Sequence, residues 1–248
     1  MAINRVLPFV STAVMLVFTI AVFQRFVVRR KAHFLYWGIG LAMFGAGSFA
    51  EAYLSLAWNR WIFFVWYLFG AALNAAWIGH GTLALLYRKK WIHVITGLLV
   101  AGSLVALALM LNIMPRLDSS QFTTGVAISD QYAKIMPAVS NGATVRLTTP
   151  FFNIYGLLTL VGGAIYSAFL FWRKRVMPNR VIGNVLIAAG ALSIGFASTL
   201  TRLGIGEFLY VGELVAAILM FIGFQVAARP EPSEEPVQVP ASQAAASS

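Results

Sequence analysis

The sequence predicts an all-α membrane protein, a bundle of seven transmembrane helices. Three observations predict it: the composition, the spacing of the apolar runs and the distribution of the basic residues. Apolar residues make up 60% of the 248 residues and charged residues 10%, which lies outside the range of soluble globular domains. The absence of cysteine excludes disulfides, thiolate metal sites and thiol nucleophiles.

Each apolar run is close to the ~20 residues that cross ~30 Å of hydrocarbon at 1.5 Å per residue. Helices are expected because lipid offers backbone groups no hydrogen-bond partners. The first run is longer than the apolar core of a signal peptide and lacks a cleavage site, so we expect it to be retained as a span. The seven runs cover residues 8–28, 34–57, 61–87, 91–114, 150–172, 180–201 and 207–228.

Basic residues predict the orientation of these helices. Twelve of the 18 lysines and arginines lie on one side, in the first, third and fifth connections and directly after the last run. The positive-inside rule makes that side cytoplasmic, so the N-terminus is expected outside and the C-terminus inside. Topology and attraction to anionic lipid explain the net charge of +10 without nucleic acid. We therefore expect a multi-pass protein of the plasma membrane.

Two segments are expected outside the bundle, which occupies residues 1–229. Residues 230–248 are rich in Pro, Ser, Ala and Glu and predict a disordered cytoplasmic tail. The outer connection at 115–149 is long for a loop. Its Asn141-Gly142 pair, between stretches of strand-like composition, predicts a β-hairpin cap.

The chain carries an internal similarity that predicts a duplication. The stretch FVWYLFGAALNAAWIGH from Phe64 aligns with FLYVGELVAAILMFIGF from Phe208, and RRK at Arg29 aligns with RKR at Arg173. Spans one to three would then repeat as five to seven, in a 3+1+3 parallel arrangement with the fourth span as linker. In topology and length this resembles the SWEET sugar carriers. The mid-helix prolines and the PQ-type loop of that group are missing, so no family is assigned.

Small and aromatic residues in the spans are interpreted by their spacing. A stripe of small residues along the second span favours close helix packing and a homo-oligomer. Trp58, Trp61 and Trp66 are interpreted as an interfacial belt, whereas Trp77 is too deep for one and is expected to pack in the core or line a cavity. The stripe consists of Gly38, Ala42, Ala46 and Ala50.

A polar cluster is predicted beneath the outer surface. Glu51 and Glu213 lie five or six residues from the outer ends of their spans, or about 8 to 9 Å deep at the helical rise. Tyr155 and Tyr210 come to similar levels, and Arg202 is the expected counter-ion. A charge inside a span costs about 2.5 to 3.5 kcal/mol and normally marks a functional site. These five residues therefore predict an outward-facing pocket that binds a ligand, an ion or a proton.

The alternative for these residues is a structural role. Glu51 with Arg202 could form a packing salt bridge, and the side chain of Arg202 could instead reach outward to the interface. Glu207 is best explained as a cap of the seventh helix, where its charge favours the N-terminus.

A second polar cluster is predicted toward the cytoplasm. It consists of Asn74, His80 and Asn184, with His80 expected to hydrogen-bond to Asn184. No H-x-x-x-H or H-E-x-x-H pattern supports haem or metal binding. No metal site and no cofactor are therefore predicted.

Several function classes are excluded or disfavoured by missing residues. No lysine lies inside a predicted span, which excludes a retinal Schiff base. No nucleophile and base pair is recognisable, so an enzyme is not expected. The leading hypothesis is a protein that binds a small or amphiphilic ligand, including lipid, for transport or sensing. The alternative is a non-catalytic subunit or assembly factor that binds partner helices, and a haem- or metal-binding protein or membrane-embedded enzyme ranks third.

Overall fold

The fold is described from a computed structural model, for residues 2–87, 90–174, 178–202 and 209–229. Within these ranges, the side chains of residues 2–5 and 198–202 are not described. The described residues form helices, turns and loops without a strand. The predicted all-α class is thus confirmed for this part of the chain, whereas the predicted tail at 230–248 lies outside it.

Helices occupy all seven predicted runs. The third run is one continuous helix made of α3, a π-helical segment and α4, and a short helix, α6, lies in the outer connection. The bounds are α1 Ala2–Arg29, α2 Ala32–Leu54, α3 Arg60–Val65, the π segment Trp66–Leu73, α4 Asn74–Leu86, α5 Trp91–Ile113, α6 Ile128–Ile135, α7 Val145–Lys174, α8 Pro178–Arg202 and α9 Leu209–Ala227.

Six helical stretches in the described residues are long and apolar enough to cross a membrane, which indicates a multi-pass membrane protein. The second predicted span, α2, is long enough at 23 residues but is not among the six. Its four glycines and Glu51 lower its mean hydropathy. The number of membrane crossings therefore stays a prediction.

The helices pack as a ring, in which α1 contacts α2 and α9, α2 contacts α4, α4 contacts α7, α7 contacts α8, and α8 contacts α9. Helix α5 lies outside this ring, against α4 and α7. Two indole or imidazole hydrogen bonds attach it to α4: Trp77 Nε1 donates to Ser103 Oγ at 3.2 Å, and His80 Nε2 lies 2.8 Å from Thr96 Oγ1. The predicted core position of Trp77 is confirmed.

Neighbouring helices of the ring run parallel at two seams. At the α4–α7 seam, Gly156 approaches Ala75, and Gly163, seven residues further, approaches Thr82. At the α1–α9 seam, the rings of Phe18 and Phe221 lie 5.2 Å apart, and Arg25 Nη2 donates to Gln225 Oε1 at 3.1 Å. In both cases the contacts advance in the same direction along the two helices. Each seam therefore joins a helix of the first three predicted spans to a helix of the last three.

The π segment brings its helix unusually close to α2. A Cβ on Gly47 would collide with the Cα of Gly70, so glycine is required at the crossing point. The wide π turn also presents the carbonyl oxygen of Ala71 sideways, where it accepts a hydrogen bond from Asn153 Nδ2 on α7 at 3.1 Å. Segments of this kind often mark functional positions in helices.

The outer connection forms a compact helical cap, here called the outer cap (residues 114–144). The predicted hairpin at 115–149 is wrong, because these residues form 3₁₀ turns and α6 instead. Asn141 ends a 3₁₀ turn and Gly142 takes the left-handed conformation after it, at φ +92°. Gln131 stabilises the cap, since its side chain bonds to the backbone of Thr123 and of Val126. Ile128 and Ile135 are fully buried beneath it.

The small-residue stripe of α2 is partly used inside the bundle. A Cβ on Gly38 would meet the ring of Phe23, and Ala50 is buried. Ala42 faces outward. A homo-oligomer through this stripe stays a prediction.

Candidate functional site

Glu51 and Glu213 meet inside the bundle and form the carboxyl pair (Glu51 and Glu213). Helix α2 holds Glu51, which is only 4% exposed, and α9 holds Glu213, whose Oε2 atom is buried. The two carboxyl groups are within hydrogen-bonding reach of each other. Because one belongs to the first three predicted spans and the other to the last three, their contact joins the two parts of the ring.

Such a pair cannot be ionised at both ends without a cation. An ionised carboxylate only accepts hydrogen bonds, and two like charges in contact inside a low-dielectric interior repel strongly. The Oε2 atoms of both residues are buried and have no hydrogen-bond donor in the described part of the protein. The pair must therefore hold at least one proton or lie beside a positive charge.

Trp66 holds one side of the carboxyl pair in place. Its Nε1 donates to Glu51 Oε1 at 2.9 Å, and its side chain is 5% exposed. The prediction that Trp66 belongs to an interfacial belt is therefore wrong, whereas Trp61 is 63% exposed and fits that role. The close crossing of Gly47 and Gly70 explains the contact, because Glu51 and Trp66 each lie one turn from these glycines.

Tyr210 connects the carboxyl pair to the outer cap. It is buried on α9, within electrostatic reach of both glutamates and close to the backbone of Ile128 at the start of α6. The cap also touches Trp66, since the ring of Tyr132 lies 5.7 Å from the indole. Trp66 and Tyr210, the two aromatic residues beside the carboxyl pair, thus both contact the outer cap.

Two other members of the predicted outer cluster are placed differently. Arg202 is the last residue of α8, and its side chain lies outside the described residues, as does the whole of Glu207. The hydroxyl of Tyr155 lies 2.8 Å from His80 Nδ1, so Tyr155 belongs to the second polar cluster rather than to the carboxyl pair.

His80 has a hydrogen-bond partner at each ring nitrogen and is completely buried. Thr96 Oγ1 donates its one proton to the carbonyl oxygen of Ile92 at 2.9 Å, so it accepts from His80 Nε2. The imidazole is then protonated at Nε2, and Nδ1 accepts from the Tyr155 hydroxyl. This assigns a neutral histidine with both nitrogens satisfied, which links α4, α5 and α7.

The predicted inner cluster is not assembled around His80. Tyr155 and Thr96 occupy both ring nitrogens, so the expected bond to Asn184 is replaced. Asn74 donates instead to the carbonyl oxygen of Gly70 at 2.9 Å, which stabilises the end of the π segment. The sequence does not single out Tyr155 and Thr96 as partners of His80, because their depths in the helices do not distinguish them from other hydroxyl residues.

The pKa values of two carboxyl groups in the outer cap are shifted in opposite directions. Partial burial against the cap raises the pKa of Asp130, in the first turn of α6, although the residue is exposed on its other side. The pKa of Asp118 is lowered, because the hydroxyl and the backbone N–H of Ser120 both donate to its carboxylate. Asp130 also lies within electrostatic reach of Tyr210, which in turn lies near both glutamates.

Other features of the described residues give little further chemistry. They contain no group of three or more His, Cys, Asp or Glu side chains that could hold a metal ion. A surface groove of about 320 Å³ between α1 and α9 is lined by apolar side chains alone, and none of them is a predicted site residue. Comparisons of the chain with protein-family models, with curated proteins and with solved structures found no match.

Proposed function

We propose that the protein is a plasma-membrane protein that binds a proton or a small cation at the carboxyl pair, for transport or sensing. The observation that carries the proposal is the contact of two buried carboxyl groups whose Oε2 atoms have no donor in the described residues. Intramembrane carboxylates are costly and are usually retained for function. Of the ligands predicted from the sequence, a proton or small cation is favoured over an amphiphile, because Trp66 and Tyr210 close in on the pair.

The orientation in this proposal places the N-terminus and the outer cap outside. Helix α9 begins and α2 ends on that side, so the carboxyl pair lies under the outer cap. Asp130, which is exposed on the cap, is proposed as the first acidic group that a proton or cation meets. Tyr210, which lies close to the backbone of Ile128, is the next polar group on the way to Glu213.

The two parallel seams support a two-part architecture in which the first three spans and the last three are equivalent, with α5 as the linker. In transporters built from parallel repeats, the binding site lies between the repeats. Both polar contacts described above, Glu51 with Glu213 and His80 with Tyr155, join the two parts. This arrangement favours a transport or sensing role in which the parts move relative to each other.

The experiment measures the thermal stability of the purified protein in detergent as a function of pH. Glu51→Gln and Glu213→Gln each retain the shape of the side chain but remove one titrating group. We expect the wild type to change its Tm with pH and each variant to lose most of that change, with expression intact. Tyr166→Phe is a control, since Tyr166 is exposed on α7. Unchanged pH responses in both glutamine variants, with altered folding or complex recovery instead, would support a subunit that acts by partner binding.

A further inference from the structure

Two serine hydroxyls inside the bundle share the unusual state of the carboxyl pair, as does Ser129 Oγ in the outer cap. Ser11 on α1 is 1% exposed and Ser48 on α2 is 2% exposed, and neither Oγ atom has a hydrogen-bond partner in the described residues. Several other helix hydroxyls, in contrast, donate to a carbonyl oxygen of the preceding turn. Thr12, Ser103 and Thr159 do so at 2.7 Å.

The packing register brings Ser11 and Ser48 to one level. A Cβ on Gly45 of α2 would lie 3.3 Å from Met15 Cβ of α1, and the two helices run in opposite directions. Ser11 precedes Met15 by four residues and Ser48 follows Gly45 by three. The two serines therefore lie about one turn from this contact on the same side of it.

The same register brings Glu213 to that level. Phe18 of α1 and Phe221 of α9 are in ring contact, at 5.2 Å, across a parallel seam. Ser11 precedes Phe18 by seven residues, and Glu213 precedes Phe221 by eight, a difference of about 1.5 Å along the axis. Glu51 follows Ser48 by three residues and shares its helix face.

Four buried oxygen atoms without a hydrogen-bond partner thus lie at a similar level on three neighbouring helices, α1, α2 and α9. Buried polar groups are normally paired, and each exception calls for an explanation. Two of the four atoms carry the charge of the carboxyl pair and two are neutral hydroxyls. Such hard oxygen ligands suit an alkali or alkaline-earth cation rather than a transition metal.

The number of ligands and the charge favour a monovalent ion. Calcium takes six to eight oxygen ligands, and magnesium keeps several waters in octahedral geometry, whereas this site offers four protein oxygens. One monovalent cation and one proton would neutralise the two carboxylates, which a buried site requires. The titratable groups that face the site in the described residues are Glu51, Glu213 and Tyr210, with Asp130 above them on the cap.

We propose that Ser11, Ser48 and the carboxyl pair form a sodium site, in which Na⁺ replaces one of the protons held by the glutamates. This inference rests on the proposed function and names its ligand. The exchange is balanced: one Na⁺ enters, one proton leaves to solvent, and the charge of the site is unchanged. The serines, which hold no proton that titrates, contribute only to the binding of Na⁺.

The test measures Tm in detergent while NaCl replaces choline chloride at constant ionic strength, because a ligand that binds only the folded state raises Tm. We expect Na⁺ to raise the Tm of the wild type, with a half-maximal concentration that increases as the pH falls. Ser11→Ala and Ser48→Ala should each raise that concentration about tenfold, which is the effect of losing ~1.4 kcal/mol of binding. Ser103→Ala is the control, because Ser103 lies on α5 away from the site and should leave the Na⁺ response unchanged.

The outcomes separate this inference from the proposed function. If Na⁺ has no effect, or if K⁺ or Ca²⁺ acts equally well, the sodium site is refuted. The proposed function then stands if Tm still depends on pH in the wild type and not in Glu51→Gln. If the glutamine variants behave as the wild type toward both Na⁺ and pH, both proposals fail. Should Ser48→Ala not fold, Ser11→Ala alone decides the matter, since the two serines act on the same ion.

Discussion

A single indole N–H orients the carboxyl pair at the residue scale. Trp66 Nε1 is the donor to Glu51 Oε1 among the described residues, and the indole sits in a ring of aromatic contacts with Phe63, Tyr67 and Tyr132. The indole therefore both packs and donates. Replacing it separates these two contributions.

Trp66→Phe removes the donor and keeps most of the apolar contact. We expect a loss of about 1 to 3 kcal/mol in the free energy of unfolding, because a buried acceptor loses its partner, together with some loss of packing. Unfolding in mixed detergent micelles measures it. Trp61→Phe is the matched control, as Trp61 is exposed, and it should change stability by less than about 0.5 kcal/mol. Equal effects of the two substitutions would contradict the role of the indole.

The hydrogen bonds of His80 give a second prediction at this scale. Tyr155→Phe deletes the donor to Nδ1 while the Nε2 bond to Thr96 remains, and a buried unpaired acceptor costs about 1 to 3 kcal/mol. Thr96→Val, which removes the acceptor of the Nε2 proton, should cost a similar amount. The tautomer assignment is read directly from the ¹⁵N chemical shifts of the imidazole. A proton on Nδ1 in the wild type would contradict it.

The outer cap is the element whose stability responds to pH in a testable way. Burial raises the pKa of Asp130, so the folded cap favours the protonated acid. The contribution of Asp130 to the stability of the cap is fully present below the pKa of the unfolded state, near 3.8. It is lost as the pH rises through the higher pKa of the folded state. Asp130→Asn should therefore stabilise the cap slightly at neutral pH, which slows hydrogen exchange of the α6 amides, and should have no effect in acid.

Asp118 behaves in the opposite sense and serves as the comparison. Its pKa is lowered by the bonds from Ser120, so its contribution is present at neutral pH and is lost as the pH falls through the lower folded value. Asp118→Asn should weaken the cap at neutral pH. Hydrogen exchange of the α6 amides measures both variants. If Asp130→Asn speeds exchange at neutral pH, the assignment of the raised pKa is wrong.

The limits of prediction are also clearest at the level of elements. The long helices were predictable because hydrocarbon forces every apolar run of this length to satisfy its own backbone. The matched depth of Glu51 and Glu213 followed from counting residues along two helices. The π segment was not predictable, since its register shift depends on the contact of Gly47 with Gly70. Asn141-Gly142 misled because a left-handed glycine ends a 3₁₀ turn as readily as it begins a hairpin.

One physical reason explains why several residues of the candidate and proposed sites were not predicted from the sequence. Trp66, Ser11 and Ser48 are ordinary residues for a membrane helix, and only the packing of neighbouring helices distinguishes them. Ser11 becomes informative because α1 presents Ser11, Met15, Phe18 and Val22 to the interior. The pairing of His80 with Tyr155 depends on the parallel approach of α4 and α7, which hydropathy does not encode.

The orientation of the whole molecule can be tested with chemical labels. The chain contains no cysteine, so a single introduced thiol has no background. Ser120→Cys, on the outer cap, should react in intact cells with a reagent that does not cross the membrane. Lys31→Cys, between α1 and α2, should react only after the cells are opened. The reverse pattern would invert the topology and place the carboxyl pair near the cytoplasm.

The parallel seams have a mechanical consequence. Among the described helices, the ring closes at two places between helices that are not consecutive in the chain, α1 with α9 and α4 with α7. The histidine contact lies at the α4–α7 seam, whereas the acid contact joins α9 to α2, the neighbour of α1. A change of charge at the acid contact would alter the attraction between the two parts near the α1–α9 seam. The neutral histidine at the α4–α7 seam would keep its hydrogen bonds. The two parts would then separate on the side of α1 and α9 and stay joined along the line through His80 and Tyr155.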